Sequence, residues 1–89
     1  MLALVGAGVK HTFRGDDYEV RETVDTVRET TIVECVHASS DREGLVVMNA
    51  CRLHSNGHTS FAAYEKQVPM DLIVWFVNEA NRRLSGTVK

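Results

Sequence analysis

Between positions 35 and 58 of this 89-residue chain stand five side chains with the thiol sulfur or imidazole nitrogen that binds metals and attacks carbonyls. Cys35 and His37 stand two apart, and Cys51, His54 and His58 follow them. Thiolate sulfur and imidazole nitrogen are the donors of tetrahedral zinc sites. The spacing argues against a complete one. On a strand Cys35 and His37 share a face, whereas Cys51 and His54 differ by an odd number and point to opposite faces. At most a subset converges, with His54 and His58 at a turn the best pair, while a working site needs several ligands. The expectation is therefore no metal and no cofactor, with both cysteines as small core residues and the histidines as exposed polar groups. A small zinc-binding protein using the Cys and His of this hairpin is retained as an alternative.

The same pairs raise nucleophilic catalysis, because a thiolate beside an imidazolium is an activated nucleophile. Nothing in the chain specifies an oxyanion hole or a third, orienting residue, so no catalytic residue is assigned and the chain is read as non-enzymatic. Gly6-Ala7-Gly8 invites comparison with a dinucleotide loop, but the third glycine is missing. Asp16 and Asp17 are better explained as turn and helix-start residues than as an acid–base pair.

Trp75 is the remaining residue with functional weight. At about 100° per residue, Leu72, Ile73, Phe76, Val77, Ala80 and Leu84 form one apolar stripe on a helix over Pro69–Leu84, and Trp75 lies opposite, with Asp71, Asn78, Glu79 and Arg82. A large ring among charges needs a partner. An exposed Trp ringed by polar residues has the composition of a binding hot spot, and Val74 extends its patch. The candidate protein-binding residues are thus Trp75, Val74, Asp71, Glu79 and Arg82. The competing explanation is internal, with the apolar N-terminal segment folded back over the indole. A symmetric homodimer through the last helix or a free sheet edge is a third option.

These residues must be positioned by a small number of elements. Residues 2–9 are apolar and small, and Val9, His11 and Phe13 alternate before Gly15, so an N-terminal strand is expected. Residues 17–30 are ambiguous. Val20-Arg21-Glu22-Thr23 recurs seven residues later as Val27-Arg28-Glu29-Thr30, and Asp16 with Glu19 has the form of a capping box; both favour a second helix. The many Val and Thr residues favour a strand instead. We read the segment as a helix, with a strand as the alternative. Ile32–His37 reads as a strand, Ser39–Gly44 as a loop, and Asn56-Gly57 as a two-residue hairpin turn between strands 45–54 and 58–67. That turn would pair His54 with Thr59, Arg52 with Phe61 and Ala50 with Ala63. Pro69 and Asp71 suit the start of the last helix, Arg82 and Arg83 its last turn, and Gly86 its end. The fold class is α+β, an antiparallel sheet of three to four strands with the C-terminal helix, and the second helix if present, on one face. One domain over 1–89 is expected.

Composition narrows the function classes. An apolar share of 44%, a charged share of 25% and a net charge of −2 describe an ordinary globular protein. Met1–Val9 lacks a basic leader region and is far too short to span a bilayer, so a cytoplasmic location without membrane contact is expected. The two cysteines suit a reducing compartment. Helix, three strands, helix is also the order of double-stranded RNA-binding domains, which makes a nucleic-acid-binding module of that type the runner-up. The basic cluster such domains need at the start of their last helix is replaced here by Pro69-Met70-Asp71, so nucleic acid is not the expected partner. The leading expectation is a small protein-binding module, a stand-alone inhibitor or adaptor of the phage or mobile-element type. Its surface would be the last helix and the outer strand.

Overall fold

The computed structural model describes residues 2–38 and 42–85. Five strands follow one another, β1 (Leu2–Phe13), β2 (Asp16–Asp25), β3 (Thr30–His37), β4 (Val46–Leu53) and β5 (Thr59–Ala63), and one helix, α1 (Met70–Ser85), comes after them. Each strand pairs antiparallel with its neighbour in sequence, so the sheet order is β1-β2-β3-β4-β5. The fold is α+β, and among the described residues it has five strands rather than three or four and a single helix.

The segment read as a second helix is β2, its turn and the start of β3. Branching at Cβ decided the contest, because β2 is paired along both edges, where Val and Thr pack well. The seven-residue echo has no structural counterpart: Val20 is fully buried, while Val27 is 78% exposed in the turn. The Asp25 carboxylate closes that turn by accepting the backbone N–H groups of Val27 and Arg28 at 3.1 and 3.2 Å. Asp16 opens β2 instead of capping a helix. Gly6-Ala7-Gly8 lies inside β1, where the register against β2 shifts twice, so it forms no phosphate-binding loop.

The two-residue turn expected at Asn56-Gly57 occurs at Arg14-Gly15 instead. Both residues there have positive φ, 52° and 85°, as a type I′ turn requires, and Phe13 pairs with Asp16. At the other hairpin only Gly57 is left-handed, because the Asn56 side chain accepts the His58 N–H at 2.8 Å. A four-residue loop results, closed by Leu53 N–H to the His58 carbonyl and Gly57 N–H to the Leu53 carbonyl. The pairs are therefore Arg52 with Thr59, Ala50 with Phe61 and Met48 with Ala63. This register differs by two residues from the expected one, so each side chain keeps its face. β5 also stops at Ala63, short of the expected 67.

One face of the sheet carries the helix. Tyr18, Val20, Val33, Cys35, Met48 and Ala50 alternate toward α1, which answers with Leu72, Phe76, Ala80 and Leu84 and crosses over β3 and β4. Val47 joins them through a bulge: Cys35 pairs with Met48 and Val36 with Val46, leaving Val47 as the extra residue, turned into the core. Leu72 and Phe76 are completely buried. The helix begins as its sequence requires, the Pro69 carbonyl accepting the Ile73 N–H, with Asp71 in the first turn and Arg82 and Arg83 in the last. Gly86 and residues 39–41 of the expected loop lie outside the described residues.

Candidate protein-binding surface

The helix shows two different flanks. On the β1 side the Trp75 indole stacks on the imidazole of His11, with ring centroids 4.4 Å apart and planes 17° from parallel. Trp75 is half-buried and packs against the edge of the core. The ring expected to face outward thus has a partner within its own chain, supplied by the N-terminal strand. The reason is geometric: β2, expected as a helix, is a strand that carries β1 beyond it, so the sheet is wider and a residue well off the stripe centre still finds a wall.

The other four residues of the expected patch separate. Glu79 is mostly covered, bonded to Arg82 and, at 3.0 Å, to Arg83 Nε. Burial raises its pKa, but the hydrogen bonds and charges of the two arginines outweigh this and hold the carboxyl below its ordinary value. Arg83 also reaches Glu22 on β2 at 3.4 Å, tying the last turn to the sheet. Asp71 is exposed, 3.8 Å from Arg14 of the first hairpin. Arg82 and Val74 are exposed. The five residues therefore do not form one patch around an open indole.

The opposite flank holds the apolar surface. On α1, Met70, Val74 and Val77 are 78%, 55% and 36% exposed, and Val77 lines a space shared with β5. Phe61 of β5 is 47% exposed, with its ring 6.4 Å from that of Phe76 beneath it. Between strand and helix lies a groove of about 150 Å³ lined by Ala50, Thr59, Ser60, Phe61, Val77, Ala80, Asn81 and Leu84. Ala50 and Ala80 are too small to fill the space under Phe61 and Val77, which leaves the groove open. β5 is the last strand of the sheet, so among the described residues its outer backbone groups have no ladder partner. The signal was present in the sequence. Met70, Val74 and Val77 are spaced four and three apart, a second stripe beside the main one.

The residues considered for metal chemistry are dispersed. Cys35 is buried under the helix, and burial, with the nearby Glu65 charge, pushes its thiol up to about 12. His37 shares its face and bonds Glu65 through Nε2 at 2.7 Å. Cys51 lies on the opposite face of β4 from Ala50 and Arg52. His54 has left the strand and meets Thr31 Oγ1 at 2.7 Å, and His58 is exposed. Among the described residues no three His, Cys, Asp or Glu side chains gather as a metal site. The topological ground for a double-stranded RNA-binding module also goes, because the first helix is a strand. Among the described residues no helix is long and apolar enough to cross a membrane. No protein family, curated protein or solved structure matches the chain.

Proposed function

We propose that this chain is a small non-enzymatic protein-binding module, a stand-alone inhibitor or adaptor, which receives an extended segment of its partner along β5. The observation that supports this reading is an apolar groove set beside an unpaired strand edge. Main-chain hydrogen bonds to β5 would supply affinity, and alternate side chains of the added strand would enter the groove between Phe61 and Val77 to supply specificity. β5 is short, so the added strand gains much of its hold from these apolar contacts. The sheet then extends to six strands without change to the core. A second copy pairing β5 with β5 antiparallel uses the same edge, and the homodimer remains the second reading for that reason.

Affinity capture from extract of the source cells, with wild-type chain and point variants, tests the proposal. Phe61→Asp and Val77→Asp place a charge in the groove at two side chains that are themselves 47% and 36% exposed. Both are expected to lose a discrete captured protein while keeping wild-type circular dichroism. Trp75→Ala is expected to retain it. Capture unchanged by both groove variants contradicts the proposal, and a concentration-dependent doubling of mass in light scattering, abolished by Phe61→Asp, favours the homodimer.

A further inference from the structure

At the other end of the helix lies a larger and chemically different space, a cavity of about 370 Å³. It is walled by Tyr18 of β2, His37 of β3, Glu65 and Gln67 of the segment after β5, and Leu72 of α1, with Asp16 and Arg42 at its sides. Tyr18 and His37 are only 6% exposed, yet both line it. Their rings are 5.2 Å apart, and the imidazole is held by Glu65 at 2.7 Å. The Tyr18 hydroxyl makes no hydrogen bond to a described residue. Among the described residues no sealed side-chain oxygen or nitrogen lacks a partner, so that hydroxyl opens onto the cavity. Burial raises the phenol pKa, the Asp16 and Glu65 carboxylates raise it further, and Arg42 opposes them. Both carboxylates therefore bear on the same point.

We propose that this cavity is a binding site for an organic cation, an alkylammonium or alkylguanidinium group, held between the Asp16 and Glu65 carboxylates over the rings of Tyr18 and His37. The chemistry of the walls matches each part of such a group. The carboxylates accept charge-assisted hydrogen bonds, and the Tyr18 hydroxyl offers a further acceptor. Asp16 has no ion-pair partner among the described residues, and Glu65, bonded through one oxygen to His37, keeps its second oxygen. The Tyr18 phenol adds to the wall an aromatic ring of the kind that attracts positive charge. Val47, Val68 and Leu72 provide an apolar wall for the alkyl stem. Two carboxylates against one guanidinium set the sign. The site is separate from the β5 groove and stands independently of the function proposed for it. The cation comes either from a free amine or from a Lys or Arg side chain of another protein.

Nuclear magnetic resonance on the full chain, read at the Tyr18 and His37 side chains, tests this with three probes: n-butylammonium, a blocked tetrapeptide carrying one Lys, and inorganic phosphate. Saturable shifts with n-butylammonium, in roughly the millimolar range, are expected. Asp16 and Arg42 are exposed, so their variants leave the core intact. Asp16→Asn is expected to weaken the amine about five-fold and Arg42→Ala to tighten it by a similar factor, as single solvent-accessible charges do. Shifts with the amine alone assign a small-molecule source, and shifts with the peptide assign a protein side chain. No saturable shift with either, shifts with phosphate instead, or a weaker amine in Arg42→Ala overturns the site. None of these readouts depends on partner capture, so this site and the β5 groove can fail separately.

Discussion

The indole of Trp75 and the imidazole of His11, stacked 4.4 Å apart, join the helix to the first strand. This contact makes Trp75 a stabilising residue. Trp75→Ala is expected to lower the unfolding free energy by about 1–3 kcal/mol, below the range for a fully buried ring because Trp75 is only half-buried. Urea titration checks it, and an unchanged midpoint would show that the stack contributes nothing. The cysteines offer a second test at this scale. Cys35, with its pKa at about 12, holds about one thiolate in ten thousand at pH 8. Cys51 is also raised, chiefly by burial, but it is half-buried on the face without a helix. Iodoacetamide at pH 8 is expected to modify Cys51 well before Cys35, with mass spectrometry of peptides as the readout; equal rates would contradict the buried placement. The sign of the pH effect follows. Because folding raises the Cys35 pKa above its ordinary value of 9.0, its contribution to stability is full below pH 9 and is lost as pH climbs toward about 12.

Among the elements, the last helix was legible because several independent signals agreed: a long apolar stripe, Pro69 at the start and paired arginines at the end. β3 and β4 were legible from their dense β-branched runs. β2 was not, because its polar residues at Arg21, Glu22, Thr23 and Asp25 dilute the alternation and the Val-Arg-Glu-Thr echo mimics a helical period. The hairpin at Asn56-Gly57 was legible but its loop length and register were not, because turn type depends on which side chain bonds the turn backbone. Asn56 used its carboxamide on His58, whereas Arg14 accepted positive φ without any such help. The candidate surface was legible only in part. The helix and outer strand were named, but the emphasis on Trp75 missed the stripe of Met70, Val74 and Val77, since a single large residue outweighs three scattered smaller ones in a sequence. Glu29 shows the same turn physics with a measurable consequence. It sits at φ 51° in the β2–β3 turn, a conformation costly for a residue with a Cβ. Glu29→Gly is expected to raise stability by up to about 1 kcal/mol, because relief of strain exceeds the added freedom of the unfolded chain. A lower melting temperature for that variant would contradict this reading of the turn.

Among the described residues the molecule is one layer of strands with one helix, so its sheet has one face covered by the helix and two edges. A small domain of this shape leaves apolar groups at its margins, and here Phe61 of β5 and Val77 of α1 leave them on either side of an open groove, whereas the indole is stacked on His11. That distribution is the basis for assigning the β5 side to a partner and the β1 side to internal stability. The most direct test of this division is calorimetric titration of the captured partner, once purified, against wild-type chain, Val77→Asp and Trp75→Ala. Val77→Asp is expected to lose affinity by about ten-fold or more, the size typical of a residue central to an interface. Trp75→Ala is expected to keep wild-type affinity. Equal affinity of wild type and Val77→Asp, together with weakened binding by Trp75→Ala, would place the partner on the β1 flank and contradict that division.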